Sequence, residues 1–581
     1  MGLRILLLCS TDNGLCRRAR LVLQRSGNTV RTATVADSDD IGKVVARTDF
    51  DLIICPYLTA RIPDWVTRRW WPKVVVIHPG PVGDRGPSSL DWAITDQEPV
   101  WGVIAVTATD VMDAGPLWAT RTFALPQGRR KSDIYSSIIS DAAVQCIVEV
   151  ADKAADPTYR PTDQADAHRP IAHARTRPRM RQSDRAFDWR DDSELIRRRI
   201  LAADGSPGVR SHIADRSVYL YDAHPGRRDV VASAGAVVGR RHHALEIACG
   251  DGKSIWIGHL RVDLGDRWSC KAPAVSVLGR AGVPARSLSP IAGQASASAT
   301  PEVFEDIAYR SIDEQVGELT FRAYNGAMST DLCRRLARAI RAVSLRDSRV
   351  LVVRGETGKT FSNGLHLGAI ECADDPANAA WQNIVALNEV CKELLLCPKL
   401  TLVAVTGSCG AGGAVMTQAG DVVVAIGRAV LDVHYATMGL RGSELHSFTL
   451  PRRVGAATAH RLLTECEPVD TTRALDIGLV DHVGPDIEFD LWLNELAHEY
   501  ALPELWEKTI RRKHQHLAHD LGHRPLEVYE CRELAEMAAN LFDDSLGFAA
   551  KRRAFMQKGS PRPSTGQGVL DMEDLMNSRR H

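Results

Sequence analysis

The feature that most constrains this chain is an apolar strand that must stop at a histidine. Residues 74–77 form a β-branched run, Val-Val-Val-Ile, which leads directly to His78. The next three residues are Pro79, Gly80 and Pro81, and they end a strand because proline has no N–H for the ladder. Residues 87–90, Pro-Ser-Ser-Leu, then predict a helix with proline in its first turn. The sequence therefore predicts a buried strand, a rigid glycine-rich loop and a helix in succession.

His78 occupies the point where the predicted strand becomes a loop. Imidazole exchanges protons near neutral pH, so a histidine at this place suits general acid–base catalysis. The alternative interpretation is a strand-end histidine that hydrogen-bonds to a backbone carbonyl.

Strand and helix patterns alternate around this stretch. Strands are predicted over residues 5–9, 29–35, 51–55, 74–77 and 98–107, and helices over residues 16–26 and 37–47. Such alternation predicts an open, mostly parallel sheet, in which ligands gather beyond the carboxyl ends of the strands. Asp113 follows the last of these strands, just before a Gly-Pro turn. It is a second candidate catalytic residue, or alternatively a residue that caps the turn.

Length and composition limit the class of protein. At 581 residues the chain is too long for a single core. Its 72 basic and 72 acidic residues give no overall attraction to nucleic acid or anionic membranes. Its 13 cysteines form no C-x-x-C pair, so we expect no metal site and no disulfide framework. No apolar run approaches the ~18 residues of a membrane span, and we expect a cytoplasmic protein.

The middle of the chain changes pattern. A proline-punctuated basic run over residues 168–185 has no interleaved aromatic residues, so we interpret it as a solvated linker rather than a nucleic-acid arm. Short strand signals separated by turns up to residue 290 predict a small β-barrel. Residues 290–301 are rich in small residues and predict a flexible linker.

Two glycine-rich loops distinguish the second half. Residues 361–367 follow a predicted strand over 350–354, and residues 407–413 follow one over 402–405. Glycines after a strand let backbone N–H groups face a ligand oxygen. Further on, residues 485–545 predict helices and residues 558–568 a disordered tail.

The first part of the chain resembles the folate-dependent formyltransferases. The strand that ends in His-Pro, the Arg-Gly loop at residues 85–86, the Trp-Ala-Ile helix and the Asp-x-Gly-Pro turn all occur in the order of that family. The resemblance implies that His78 and Asp113 are catalytic. It also implies cofactor binding by Asn13, Gly80 and Arg85.

One position departs from the formyltransferase pattern. The family usually has an asparagine two residues before the histidine, where it polarises the formyl oxygen, but this chain has Val76. Either another donor replaces the asparagine, such as Asn13 or a backbone N–H, or the acceptor chemistry differs.

The second half resembles the crotonase (enoyl-CoA hydratase/isomerase) superfamily, whose members bind CoA thioesters. The resemblance implies that the amides of Leu365 and Gly412 form an oxyanion hole. Each such donor contributes about 3–4 kcal/mol to lowering a barrier. The cofactor-binding residues implied for these loops are Ser362, Asn363, Gly364 and Gly413.

The catalytic glutamates of the hydratases are missing. Val415 stands where the hydratases have their first catalytic glutamate, and the place of their second catalytic glutamate lies close to Tyr435. Hydratase activity is therefore not expected. Tyr435 and Glu444 are the candidate acid–base pair, because a phenol can donate a proton and a carboxylate can accept one. The sequence leaves open which residue does which. The alternatives are a packing role for Tyr435 and an ion pair of Glu444 with Arg441 or Arg452.

The two halves together resemble the HypX (HoxX) type of NiFe-hydrogenase maturation protein over essentially the full length. The resemblance implies formyl transfer from 10-formyl-tetrahydrofolate to coenzyme A, followed by cleavage of formyl-CoA to CO and CoA. Small-molecule substrates and hydrogenase maturation proteins are then the expected partners. Two other functions stay open: a formyltransferase that acts on an amine, with a structural crotonase half, and a non-catalytic folate- and CoA-binding assembly factor.

The expected fold class is multidomain α/β. The predicted order is a formyltransferase-like domain (1–165), an OB-like β-barrel domain (166–290), a linker (291–301), a crotonase-like domain (302–485), a helical extension (486–557) and a flexible tail (558–581).

Overall fold

The computed structural model describes residues 2–169, 171, 173–263, 269–280 and 302–557 of the chain. The predicted linker over residues 291–301 and the predicted tail over residues 558–581 lie outside the described residues.

The first domain is built on a six-stranded sheet with the order β2-β1-β3-β4-β5-β6. The pairings among β2, β1, β3 and β4 are parallel, and those of β5 with β4 and β6 are antiparallel, which confirms an open, mostly parallel sheet. In chain order its elements are β1 (Arg4–Cys9), α1 (Gly14–Arg25), β2 (Thr29–Thr34), α2 (Ser38–Arg47), β3 (Leu52–Tyr57), α3 (Asp64–Arg69), β4 (Val74–His78), α4 (Ser89–Thr95), β5 (Val100–Thr107), β6 (Leu117–Ala124), α5 (Lys131–Ile134) and α6 (Ser140–Ala154).

Strand β4 is apolar on both faces because both faces are covered. Val75 and Ile77 pack into one core cluster, while Val74 and Val76 pack into the cluster on the other face. Side chains alternate along a strand, so His78 lies on the same face as Val76. Helix α4 begins only at Ser89, so the prediction of a proline inside its first turn was wrong.

A long helical segment covers one face of the first sheet. A π-helical turn over Tyr135–Ile139 joins α5 to α6. The segment Lys131–Ala154 is long and apolar enough to cross a membrane by length and composition alone, with 56% of its most apolar window buried in the protein. Its buried side chains, among them Ile139, Cys146 and Ile147, belong to the core of the domain. That burial accounts for its apolar composition.

The middle domain is an antiparallel sheet. Its strand order is β7-β8-β11-β10-β9, and the short β12 pairs with β11. Among the strand pairings described, none joins β7 to β9, so closure into a barrel stays a prediction. Its elements are α7 (Gln182–Arg185), α8 (Ser193–Ala203), β7 (Val209–Ile213), β8 (Arg216–Pro225), β9 (Val237–Arg241), β10 (Ala244–Ala248), β11 (Ser254–Val262), β12 (Ala272–Pro273) and α9 (Ala274–Arg280).

Most basic residues of the run before this domain are exposed, as the interpretation as a solvated linker expects, but Arg177 and Arg185 are buried against the first domain. Arg177 lies 3.6 Å from Glu98 and also pairs with Asp96. Arg185 is buried and pairs with Asp91. These guanidinium groups bind carboxylates of the first domain, which sequence composition cannot reveal.

The crotonase-like domain has a six-stranded sheet with the order β13-β14-β15-β16-β18-β21 and a small sheet β17-β19-β20. All pairings of the large sheet from β14 onward are parallel. Its elements are β13 (Ile307–Ser311), β14 (Val316–Phe321), α10 (Thr330–Ser344), β15 (Val350–Arg354), α11 (Leu367–Glu371), α12 (Pro376–Leu395), β16 (Leu400–Val405), β17 (Cys409–Gly410), α13 (Gly412–Met416), β18 (Val422–Ile426), β19 (Val430–Asp432), α14 (His446–Val454), α15 (Ala456–Glu465), β20 (Val469–Asp470), α16 (Thr471–Asp476) and β21 (His482–Gly484).

Four helices follow this domain and pack on it: α17 (Phe489–Ala501), α18 (Pro503–His523), α19 (Leu526–Leu541) and α20 (Phe548–Gln557). The predicted packing positions are confirmed, because Leu526 and Met537 are buried in the crotonase core and Tyr529 and Leu534 pack against it.

Candidate active site

His78 lies between two carboxylates at the carboxyl end of β4. Its Nε2 is 2.8 Å from Oδ2 of Asp84, and its Nδ1 is 3.3 Å from Oδ2 of Asp113. The ring is 4% exposed, so these contacts are shielded from bulk water. The structure therefore brings His78 and Asp113 together and places the ring against carboxylates rather than a backbone carbonyl.

Asp84 is the group at this site that sequence reasoning missed. It is 1% exposed, and its second oxygen, Oδ1, has no hydrogen-bond partner among the residues described. A buried carboxylate oxygen without a partner is costly, and such atoms are concentrated at functional sites. The signal in the sequence was its place in the glycine-rich loop, six residues after His78.

Gly80 allows the His78–Asp84 contact. A β-carbon at Gly80 would lie 2.4 Å from Nε2 of His78 and 2.3 Å from Oδ2 of Asp84. Any larger residue would push the two groups apart. Gly80 thus belongs to the site by making room for the pair. Arg85 lies on the same loop and forms a backbone bridge to Thr176.

The two glycine-rich loops of the crotonase-like domain touch each other. A β-carbon at Gly364 would lie 2.9 Å from the amide nitrogen of Gly412, and one at Gly413 would lie 2.2 Å from the carbonyl oxygen of Ser362. Within the described residues, the amides of Leu365 and Gly412 hydrogen-bond to no protein oxygen. Two N–H groups of this kind on adjoining loops are what an oxyanion hole requires.

Two further residues of the first loop, Ser362 and Asn363, make hydrogen bonds that hold the loop in place. The Oγ of Ser362 accepts a hydrogen bond from the amide of Gly364 at 3.1 Å. The side-chain amide of Asn363 donates to the carbonyl of Asn325 at 3.0 Å. Ser362 is fully buried, so its side chain contacts the loop and not solvent.

Tyr435 and Glu444 form a buried pair beside the Gly412 amide. The hydroxyl of Tyr435 donates to Oε2 of Glu444. The other oxygen, Oε1, lies 2.6 Å from the position that a β-carbon on Gly412 would take. The free carboxylate oxygen therefore faces the loop that carries the oxyanion-hole amide.

Burial changes the proton affinity of this pair. Burial raises the pKa of Glu444 to about 7, while the hydrogen bond from Tyr435 and the nearby His446 oppose the rise. Burial, and then the carboxylate of Glu444, raise the pKa of Tyr435 well above its ordinary value. A carboxyl group with a pKa near neutrality can both accept and return a proton at physiological pH.

Neither alternative ion pair of Glu444 is formed among the residues that the structure describes. Arg452 pairs instead with Asp520. Asn388 on α12 holds the Glu444 backbone, because its Oδ1 accepts from the Glu444 amide at 2.9 Å and from the Ser443 hydroxyl at 2.7 Å. Val415 is fully buried in the core, so no carboxylate stands at the hydratase position.

One cavity of about 740 Å³ contains the oxyanion loops and also reaches the first domain. Leu365, Gly412, Tyr435 and Glu444 line it, together with Thr11 to Leu15 at the start of α1. Asn13 is therefore on this cavity, and its side-chain oxygen caps α1 by accepting from the Cys16 amide at 3.0 Å. The lining does not include His78, Asp84 or Asp113.

Comparison with known proteins supports both halves and their combination. The enoyl-CoA hydratase/isomerase family model matches residues 312–527, and the formyl transferase C-terminal domain model matches residues 179–274. The hydrogenase maturation factor HoxX of Bradyrhizobium diazoefficiens is 35% identical over 565 residues, which cover 96% of this chain and 95% of HoxX.

The chain belongs to the HypX/HoxX family of hydrogenase maturation factors.

Solved structures agree with this family. A variant of HypX from Aquifex aeolicus superposes with a TM-score of 0.89 at 31% identity and covers 97% of both chains. HypX from the same organism in complex with tetrahydrofolic acid gives the same score and identity and covers 97% of this chain and 98% of that chain.

In this HypX/HoxX-family chain, ion pairs hold the first domain against the crotonase-like domain at the cavity. Arg17 on α1 pairs with Asp12 of its own domain and with Asp432 at the end of β19. Arg428 lies 3.5 Å from Asp141 of α6, and Lys359 lies 3.7 Å from Asp133 of α5. The cavity therefore lies between domains and could not be located from either half alone.

Proposed function

We propose that this protein synthesises CO for the maturation of NiFe-hydrogenase. The formyl group of 10-formyl-tetrahydrofolate passes to the thiol of coenzyme A, and the resulting formyl-CoA is cleaved to CO and CoA. The CO then becomes a ligand of the hydrogenase active-site iron. Family membership and the tetrahydrofolate complex of the Aquifex relative support the first substrate. The crotonase family match supports the second.

Formyl transfer is assigned to the His78 site. The CoA sulfur attacks the formyl carbon, the bond from that carbon to the folate nitrogen breaks, and the thiol proton ends on that nitrogen. His78 accepts the thiol proton, and His78 itself or Asp113 through water delivers it. Asp84 and Asp113, each in contact with a ring nitrogen, stabilise the positive charge that the ring carries between the two transfers.

Decarbonylation is assigned to the Tyr435–Glu444 site. The amides of Leu365 and Gly412 bind the formyl oxygen, and Glu444 removes the formyl proton. The C–H electron pair stays on carbon, and the C–S bond breaks with its electron pair on sulfur, which yields CO. Tyr435, which already donates to Glu444, returns a proton to the thiolate and is reprotonated by Glu444. The step neither consumes nor releases a net proton.

The observation that carries this proposal is the Tyr435–Glu444 pair beside the Gly412 amide. A purely structural crotonase half needs no buried carboxyl group with a pKa near neutrality against the glycine-rich loop at Gly412. The same observation disfavours an amine formyltransferase, because that reaction ends at the first site and uses no second acid–base pair.

We infer that one CoA stays bound through both steps, anchored in the cavity while its pantetheine arm extends beyond the cavity lining to reach His78. The cavity is lined by the glycine-rich loops at its crotonase end and by cationic side chains that suit phosphate groups, among them Arg17, Arg18, Lys359 and Arg428. Its volume is in the range of cavities that bury cofactors. The pantetheine arm then carries the thiol between the two sites. We assign the protein to the cytoplasm, with a maturation protein as the recipient of CO and no nucleic-acid or membrane partner.

The two half-reactions test the proposal separately. Purified protein is given formyl-tetrahydrofolate and CoA to measure formyl-CoA, and is given formyl-CoA to measure CO with a haem reporter. We expect His78→Ala to lose the first reaction only. We expect Tyr435→Phe combined with Glu444→Gln to lose the second only. Wild-type formyl-CoA synthesis by His78→Ala, or CO release by the double variant, would show the assignments to be wrong.

A further inference from the structure

A continuous chain of buried polar groups links the middle domain to the oxyanion loop. Oδ2 of Asp222 lies 3.1 Å from Nδ1 of His259, and Nε2 of His259 lies 3.1 Å from Nε2 of His366. His366 is the residue after Leu365, whose amide is one of the two oxyanion donors. Asp222, His259 and His366 are each no more than 5% exposed. Side chains on β8 and β11 of the middle domain therefore reach the second site.

The hydrogen bonds assign one tautomer to each ring. Nδ1 of His366 accepts from the Ala369 amide at 3.0 Å, so the proton of this ring is on Nε2. His366 then donates to Nε2 of His259, which leaves the proton of His259 on Nδ1, where it is donated to Asp222. Burial lowers the pKa of His259 to about 4 and that of His366 below its usual range, so both rings are neutral at pH 7.

At one end of these hydrogen bonds, Asp222 is held by a residue of the first domain and by a neighbour on its own strand. Oδ1 of Asp222 accepts from Arg130 of the first domain at 3.2 Å, and it lies 3.0 Å from Nε2 of His224. A β-carbon at Gly258 would lie 2.1 Å from Oδ2 of Asp222, so strand β11 has a glycine where the carboxylate must pass. A buried carboxylate with hydrogen-bond partners on both oxygens is held in one position.

At the other end of these hydrogen bonds, His366 is fixed within the crotonase-like domain. The backbone amide of His366 donates to Asn383 at 3.1 Å, and its ring caps α11 through Ala369. On the other side of Leu365, the Gly364 carbonyl accepts from the Met328 amide at 2.8 Å. A trans peptide directs its N–H opposite to its carbonyl, so the Leu365 N–H points away from Met328. Leu365 is thus held on one side by the Gly364–Met328 hydrogen bond and on the other by His366, which makes His366 one of two constraints on this donor.

The hydrogen-bonded residues His259 and His366 also form part of the cavity wall. His259 stacks on Tyr324 with ring centroids 4.2 Å apart, and His259, Tyr324 and His366 all line the cavity with the oxyanion amides. The middle domain is therefore part of the wall around the second site and not only a spacer after the first.

We propose that Asp222 and His259 of the middle domain are positioning residues for decarbonylation, because they hold His366 and through it the Leu365 oxyanion donor. This inference rests on the decarbonylation proposed above. A single oxyanion donor contributes about 10²–10³ in kcat, so a donor that is loosened rather than removed loses part of that factor. Middle-domain residues then control a reaction whose bonds change in the crotonase-like domain.

The test uses the full chain with His259→Phe, which keeps an aromatic ring without either nitrogen, and His259→Gln, whose amide both accepts from His366 and donates to Asp222. We expect His259→Phe to lower kcat for CO release from supplied formyl-CoA about tenfold or more. The fall in kcat for CO release should be larger than any change in KM or in the rate of formyl-CoA synthesis, because His259 also lines the cavity. His259→Gln should recover to within about threefold. Wild-type kcat in His259→Phe, or a His259→Gln variant as slow as His259→Phe, would overturn the positioning role.

A second readout does not depend on turnover. In protein with ¹⁵N-labelled histidine, the signal that disappears in His259→Phe belongs to His259 and should be that of a neutral ring protonated on Nδ1. A ring protonated on Nε2, or a doubly protonated ring, would overturn the proposed chain. If wild-type protein released no CO from formyl-CoA while this signal was as expected, the proposed function would fail and the hydrogen-bonded chain would stand.

Discussion

At the scale of single residues, Glu444 sets the pH dependence of the second step. Its pKa is raised to about 7, so the ionised form that removes the formyl proton decreases as pH falls through 7. We expect kcat for CO release from supplied formyl-CoA to fall about tenfold per pH unit below about pH 6. Tyr435 lowers the pKa of Glu444 through its hydrogen bond, so the midpoint should move to higher pH in Tyr435→Phe. A flat profile between pH 5.5 and 8 would contradict the role of Glu444.

Asp84 is the second residue whose role can be tested alone. Asp84→Asn keeps the shape of the side chain but removes the charge beside Nε2 of His78. We expect formyl-CoA synthesis to fall about 10²–10³-fold, within the range that general acid–base groups contribute. CO release from supplied formyl-CoA should be unchanged.

The matched control for Asp84 is Asp110→Asn. Asp110 is exposed on the loop that leads to Asp113, and its carboxylate accepts only from the neighbouring Val111 amide among the residues described. We expect this variant to synthesise formyl-CoA at the wild-type rate. Equal losses in the two variants would mean that Asp84 acts through general charge and not through His78.

Residue types and their order were enough to select candidate residues, but not to predict how those residues are arranged. The apolar strand, the proline stop and the Asp-x-Gly-Pro turn were enough to mark His78 and Asp113 as candidates. The contact of Asp84 with the ring depends on the path of the loop between residues 79 and 83, which no local pattern specifies. Likewise, residues 259 and 366 are far apart in the chain, and only the packing of two domains brings their rings together.

At the scale of elements, the closeness of the two glycine-rich loops determines the oxyanion hole. Gly364 has φ +73, and a β-carbon there would lie 2.9 Å from the Gly412 amide. We expect Gly364→Ala to reduce CO release from formyl-CoA at least about 100-fold, because it displaces one of the two donors. Formyl-CoA synthesis should be retained.

Gly252 provides the control for that prediction. It has the same φ of +73 in a turn of the middle domain, and a β-carbon there would meet no atom of a non-adjacent described residue within 4 Å. An alanine at either place costs about 1–2 kcal/mol for its left-handed backbone. Gly252→Ala should therefore show the part of the stability loss that comes from the backbone, measured by thermal unfolding, while it keeps both activities. Loss of CO release in Gly252→Ala would attribute the effect of Gly364→Ala to stability.

Element boundaries were predicted well where the pattern is periodic or apolar. Strands β1 to β5, helices α1 and α2 and the strands before both glycine-rich loops lie within a few residues of their predicted positions. The interpretation of the basic run over residues 168–185 missed the burial of Arg177 and Arg185, because arginine composition alone does not distinguish a solvated segment from one paired with buried carboxylates. Asp91, Asp96 and Glu98 supply those partners.

At the scale of the whole molecule, residues of both the first domain and the crotonase-like domain line one cavity, so the proposed reaction needs the two modules together. Ion pairs such as Arg17–Asp432 close the interface around the cavity. We expect CO yield from formyl-tetrahydrofolate and CoA to be insensitive to an added nucleophile that destroys free formyl-CoA. The reason is that the thioester is formed and cleaved on a CoA that does not leave. A CO yield that falls in proportion to the trap would indicate release of formyl-CoA between the sites.

The central claim is that the formyl carbon of the folate becomes CO through CoA. The direct measurement is to incubate the purified protein with ¹³C-formyl-tetrahydrofolate, with and without CoA, and to detect ¹³CO bound to a haem reporter by its infrared band. We expect ¹³CO only when CoA is present. We also expect no ¹³CO from Glu444→Gln, which should accumulate ¹³C-formyl-CoA instead. Labelled CO without CoA, or labelled formate as the only product of the wild-type protein, would contradict it.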